Sequence, residues 1–274
     1  IELGACFLAS PSKDRTCRLV AGDIMKEAVF PVDSPAPAKE NGWANYVKGV
    51  LAGLAARKRP QSGFNGLFFS NLPLAAGLSS SAALEMSSAL ALSALYGMDL
   101  PKLDLAKIGQ KSEHNFVGVK CGLLDQITSL FGEEHGLVMT DFRSLEVKGV
   151  KIAGAIAGGE PCFVVCNTGV KHTLVDSEYN ERRARCEESA AFFKSVLPHP
   201  IAALRDVSWK EWEQHSPRMN PTAAKRAAHI IGENTRVLKG VELLKAGKPV
   251  EFGKLRFESH ESSRKNFENS CTEL

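Results

Sequence analysis

No Cys-x-x-Cys pair occurs in this sequence, although it holds seven cysteines: Cys6, Cys17, Cys121, Cys162, Cys166, Cys186 and Cys271. An odd count without that spacing argues against a disulfide framework and offers no zinc-ligand pattern. A reducing compartment fits such usage, and a cytoplasmic location is expected. Long apolar runs are also missing. The stretch from Leu74 to Leu95 is broken by a serine cluster and by Glu85, and nothing reads as a signal peptide or a membrane span. Charge of one sign is scarce: 34 basic against 31 acidic residues leave a formal net charge of +3. The densest basic runs, Arg57-Lys58-Arg59 and Arg182-Arg183-Ala184-Arg185, lie beside acidic residues in helix-like sequence and read as solvated faces. Neither a nucleic-acid nor a membrane partner is expected.

What is present is ordinary globular material. With 44% hydrophobic and 24% charged residues over 274 positions, the chain can bury one large or two modest cores. Residues 1–9, 17–21 and 26–30 read as short strands, and Gly66–Ser70 as another. Helical spacing runs over 42–57, 82–96, 102–117 and 122–131. Strands are expected near 136–141, 145–152 and 161–167, and helices over 178–196, 208–214, 221–246 and 249–268. Strands with a few helices come first and a helix-rich part second. That order predicts an α+β protein in two lobes, 1–155 and 156–274. The first residue is Ile1, and both ends read as structured rather than frayed. A piece of a longer protein is therefore expected, inactive by itself.

One stretch stands out: Pro73-Leu74-Ala75-Ala76-Gly77-Leu78-Ser79-Ser80-Ser81-Ala82-Ala83. Glycine lets a backbone turn tightly beside a ligand, and three serines then open an alanine-rich helix. The first turn of a helix carries free N–H groups and the positive end of the dipole, so it favours an anion. Ordinary serine capping explains the string equally well. It is not a Walker A loop, because no Gly-Lys-Ser/Thr follows. Further on, Glu113 stands near the end of one predicted helix and Asp125 at the start of the next. Each can be a surface charge or a dipole partner, but phosphoryl transfer also needs such a pair: one carboxylate to hold Mg²⁺, one to orient or deprotonate the attacking hydroxyl. His114 alone makes no metal site. Ser177 before Glu178-Tyr179 is a helix-start signal.

The serine string resembles the second signature of the GHMP kinases, Pro-x-x-x-Gly-Leu-x-Ser-Ser-Ala, and its triple-serine form resembles the galactokinase branch. Glu113-His114-Asn115-Phe116 through Cys121-Gly122-Leu123-Leu124-Asp125-Gln126 is similar to that branch's Glu-His-x-Phe-x-Gly-x-x-Cys-Gly-x-Met-Asp-Gln, with Leu124 in place of methionine. Cys166 to Arg183 resembles another run of the branch, with Lys171 where arginine is frequent and Thr168-Gly169 for Ser-Asn. Gly42-Trp43-Ala44-Asn45-Tyr46 and the run from Glu258 to Leu274 are also similar. The resemblance implies the GHMP two-lobe fold and transfer of the ATP γ-phosphoryl group to the anomeric hydroxyl of galactose, with Mg²⁺.

It further implies roles. Asp125 is the catalytic carboxylate. Gly122, Asp125 and Tyr179 face the sugar. Gly77, Leu78, Ser79, Ser80 and Ser81 hold the phosphates with Lys171, and Ser81 and Glu113 ligate the metal. Trp43 and Tyr46, three apart, lie by the adenine or in the core. A monomer is expected. N-acetylgalactosamine or another hexose as substrate, or a non-catalytic sugar and ATP sensor, are the alternatives. The family's first motif, Gly-Glu-His-x-Asp-Tyr after an arginine, and its glycine-rich third motif do not occur between Ile1 and Leu274.

Overall fold

The computed structural model describes residues 3–73, 77–152, 159, 161–166 and 175–271, with only the backbone of 175–178. The chain divides into two compact units: Ile1–Glu133 with Thr140–Val147, and Glu134–Met139 with Lys148–Leu274. No helix among the described residues is long and apolar enough to cross a membrane.

The first unit is built on a sheet of β1 (Ala5–Pro11), β2 (Thr16–Ala21), β3 (Lys26–Pro31) and β4 (Phe64–Ser70) in the order β1-β4-β2-β3. β1–β4 and β2–β3 are antiparallel and β2–β4 is parallel. Period-2 alternation sends Phe7, Leu19, Phe30 and Phe64 to one face, where Phe64 meets Phe7 at 6.3 Å and Phe30 edge-on at 6.2 Å between ring centroids. Gly66 leaves room there, since an added Cβ would lie 3.0 Å from both Leu19 Cδ1 and Phe7 Cζ. Onto the unit's core pack α1 (Ala44–Ala55), α2 (Ser80–Leu95), α3 (Lys102–Ser112) and α4 (Leu124–Phe131), with Val47, Leu51, Leu54, Met86, Leu92 and Ile127 buried.

Periodicity predicts one helix over 102–117. In the structure α3 stops at Ser112 and the chain widens into a π-helical turn, Glu113–Val117, closed by the Gly118 N–H donating to the Glu113 carbonyl at 2.8 Å. Gly118 takes φ +96°, a conformation that favours glycine. Such wide turns occur often at functional sites.

β5 (Gly136–Asp141) and β6 (Glu146–Lys151) form a two-stranded hairpin whose residues are shared between the units. Asp141 fixes its turn by accepting from Arg143 N–H at 2.8 Å. The strand expected at 161–167 is corrected: residues 161–166 have no regular structure, and 167 lies outside the described residues. Its apolar Phe163, Val164 and Val165 are exposed, and no described strand pairs with them. Sequence pattern marks a strand, but ladder partners make one.

The second unit is mainly helical: α5 (Val175–Val196), α6 (Trp209–His215), α7 (Pro221–Lys245) and α8 (Pro249–Ser262), the last running into a π-helical turn at Ser263–Phe267. Ser208 caps α6 in a box with Glu211, and Asn220 caps α7 ahead of Pro221. Phe193, Ile201, Leu204, Val207, Ala227 and Ile231 form the core.

Candidate active site

α2 begins in an unusual way. Ser79 at its N-cap is left-handed, φ 54° and ψ 40°, and its hydroxyl makes no capping bond among the described residues. The ordinary capping explanation of the serines therefore does not hold for Ser79. Gly77 beside it also has positive φ, +70°, with no described atom within 4 Å of where a Cβ would be. A non-glycine residue held left-handed costs on the order of 1 kcal/mol, and such strain clusters at ligand-binding turns. The helix start is thereby presented with its first N–H groups free of side-chain caps.

Glu113 is no surface charge. It is 6% exposed, in the π-helical turn, and the Ser81 hydroxyl and Cys121 thiol lie near enough to act on its carboxylate. Burial pushes the Glu113 carboxyl above its usual range, the Ser81 hydroxyl and Cys121 thiol work against it, and the nearby negative charge of Asp125 pushes the same way as burial. Asp125 itself is exposed in the first turn of α4. The fold thus brings Ser81, Glu113, Cys121 and Asp125, up to 44 positions apart in the chain, into one neighbourhood. Ser81 and Glu113 supply two hard oxygen donors, a set that suits Mg²⁺ completed by phosphate oxygens and water. Among the described residues no group of three or more His, Cys, Asp and Glu could hold a metal by itself.

The loop before Asp125 is pinned at the Cys121 carbonyl, which accepts from His114 Nε2 at 2.9 Å and Gln110 Nε2 at 3.2 Å. A carbonyl only accepts, so Nε2 of His114 carries the proton. Gly122 is exposed with no described atom near its Cβ direction. Leu124 is also exposed.

Trp43 is the N-cap residue of α1 rather than part of its body, and Tyr46 lies in the first turn; both are half-buried. Trp43 Nε1 is buried without a partner among the described residues. Tyr179 lies near the start of α5, partly exposed, and belongs to the second unit. Lys171 lies outside the described residues.

Four buried polar residues had no role assigned from the sequence. Lys48 is 7% exposed on α1, its ammonium 5.4 Å from the Phe30 ring centroid, and burial lowers its pKa. Glu85, Ser112 and Gln126 are buried on α2, α3 and α4. Glu85 is legible in one respect, as the lone acid in an alanine- and leucine-rich helix.

The model of the GHMP kinases N terminal domain matches residues 45–133. Galactokinase of Haemophilus influenzae strain PittGG is 38% identical over 278 residues, covering 100% of this chain and 70% of that protein. The same values hold for that of H. influenzae strain Rd. The crystal structure of Lactococcus lactis galactokinase complexed with galactose superposes with a TM-score of 0.89 at 29% identity, over 100% of this chain and 70% of that one. A mevalonate kinase crystal structure shares the fold, with TM-score 0.56 at 18% identity over 100% and 73% of the two chains.

Proposed function

The chain belongs to the galactokinase family of the GHMP kinases, and from that premise we propose that it phosphorylates the anomeric hydroxyl of galactose with ATP, giving galactose 1-phosphate and ADP. The observation that carries the reading is the buried Glu113 beside Ser81, at the start of a helix open to an anion and within electrostatic reach of Asp125.

Asp125 orients the anomeric hydroxyl and takes its proton as the O–P bond forms. Its exposure, near the buried carboxylate of Glu113, suits a group that must reach a substrate. Gly122 contacts the sugar through its backbone, and Tyr179, a rigid phenol that donates and accepts, binds a sugar hydroxyl. Gly77, Leu78, Ser79, Ser80 and Ser81 cradle the phosphates through N–H groups and hydroxyls, and Lys171 adds a positive charge. Trp43 and Tyr46 hold the adenine, with the Trp43 Nε1–H supplying a donor. Ser81 and Glu113 would hold Mg²⁺, which, when bound, neutralises charge on the phosphates. The family lobes are assigned to 1–155 and 156–274. Galactose and ATP are the partners, and a monomer is the working state.

The test is ADP release by the complete protein with Mg-ATP and galactose, N-acetylgalactosamine, glucose or mevalonate. Turnover on galactose above the others is expected. Turnover confined to another acceptor would overturn the substrate.

A further inference from the structure

Each helix that carries a candidate site residue in the first unit also sends a polar group into the unit's interior, and these groups meet. Glu85 lies one turn along α2 from Ser81 and is 0% exposed. Gln126 follows Asp125 on α4, and its Nε2 donates to Glu85 Oε2 at 3.0 Å. Ser112 comes directly before Glu113 on α3 and lies near enough to Glu85 to act on its carboxyl. Its hydroxyl donates to the Tyr46 carbonyl of α1 at 2.7 Å. Gly109 lets α3 come close: a Cβ there would stand 3.1 Å from Glu85 Oε2 and 3.2 Å from Gln126 Cγ.

Stability alone does not call for this cluster. An apolar side chain would fill the same space without burying polar atoms, and Glu85 Oε1 and Gln126 Oε1 lack partners among the described residues. What an apolar side chain lacks is direction. A hydrogen bond fixes distance and angle, so a bonded hub sets the rotation of each helix where packing alone tolerates slippage. Burial favours a neutral Glu85, whose pKa rises to about 9. A neutral carboxyl is both donor and acceptor, the arrangement an amide side chain would reproduce.

We propose that Glu85, hydrogen-bonded to Gln126 where α3 comes close at Gly109, is a positioning residue that sets Ser81, Glu113 and Asp125 in register for phosphoryl transfer. The proposal rests on the kinase reading above. It touches no substrate and acts through the helix starts.

The test compares kcat, the KM for each substrate and the Mg²⁺ concentration giving half-maximal rate in the complete protein and three variants. Glu85→Gln keeps a donor and an acceptor, and kcat within about threefold of the parent is expected. Glu85→Met keeps volume and helix preference but no hydrogen bonds. Misplacement of catalytic groups by about 1 Å can cost roughly 100-fold, so kcat should fall at least about tenfold, with a higher Mg²⁺ requirement and KM values nearly unchanged. Asp125→Ala, measured alongside, separates the two readings. If Asp125→Ala abolishes turnover while Glu85→Met turns over like the parent, the positioning role is wrong and the kinase reading stands. If Glu85→Gln is as slow as Glu85→Met, hydrogen bonding is not what matters and the proposal also fails. Should Glu85→Met not fold, Gln126→Met removes the same bond from the other side and is expected to lower kcat in the same way. Parent-like turnover of Gln126→Met would overturn the proposal.

Discussion

Replacing Gly49 by alanine sets two opposing effects against each other. Gly49 lies inside α1 and is buried. In a free helix the change would stabilise by about 1 kcal/mol, because glycine loses more backbone freedom than alanine. In this fold the new Cβ would overlap Ser112 Oγ and stand 2.7 Å from Ser112 Cβ and 2.8 Å from its Cα. The last is backbone and cannot rotate away, so α1 and α3 must separate. Overpacking of this kind costs about 1–3 kcal/mol, and loss of the Ser112–Tyr46 hydrogen bond adds about 1 kcal/mol. The net expectation is destabilisation by about 1–3 kcal/mol. For a unit of this size that lowers Tm by roughly 3–10 °C.

Scanning calorimetry is the assay, since it resolves the two units if they melt separately. Gly253→Ala is the counterpart. Gly253 is inside α8 and no described atom lies within 4 Å of its Cβ position, so a gain of about 0.5–1 kcal/mol is expected. A Gly49→Ala protein that melts higher than the parent would refute the close α1–α3 approach.

Two further predictions concern the site. Glu85 is protonated in the fold and ionised in the unfolded chain at neutral pH, because its carboxyl is raised from 4.5 to about 9. Folding therefore takes up a proton, and this group's share of stability falls as pH climbs through that window, by up to about 1.4 kcal/mol per pH unit. Glu85→Gln should flatten the fall measured by urea titration at pH 5, 7 and 9; an unchanged slope would contradict a buried neutral acid. Ser79→Gly should relieve the left-handed strain of about 1 kcal/mol and raise Tm slightly while increasing the KM for ATP. A lower Tm would mean the conformation is not strained.

Much of the fold is legible in the sequence. Short strand-like runs bounded by turn residues mark β2, β3 and β5, and Gly97 after the apolar run marks the end of α2. The triple serine and the Glu113 and Asp125 segments stand out by their resemblance to the GHMP kinases, while the residues alone read equally well as capping or surface charge. Other features were not readable, for physical reasons. The π-helical turn after Ser112 depends on a one-residue change of hydrogen-bond register that hydrophobic spacing does not encode. The segment 161–166 carries a strand pattern, but strandedness belongs to a pair. Glu85, Ser112 and Gln126 look like scattered polar residues until four helices converge on them. Gly49 and Gly109 read as flaws in helices, and only the neighbouring Ser112 and Gln126 explain them.

In the proposed mechanism Asp125 drives galactose phosphorylation. The most direct measurement is kcat for galactose-dependent ADP release by the complete protein and by its Asp125→Asn variant, with circular dichroism to confirm equal folding. Asp125 is exposed, so the variant should fold normally, and a loss of about 10²–10⁴-fold in kcat is predicted for removal of a general base. Galactose phosphorylation by the variant at the parent's rate would contradict the account.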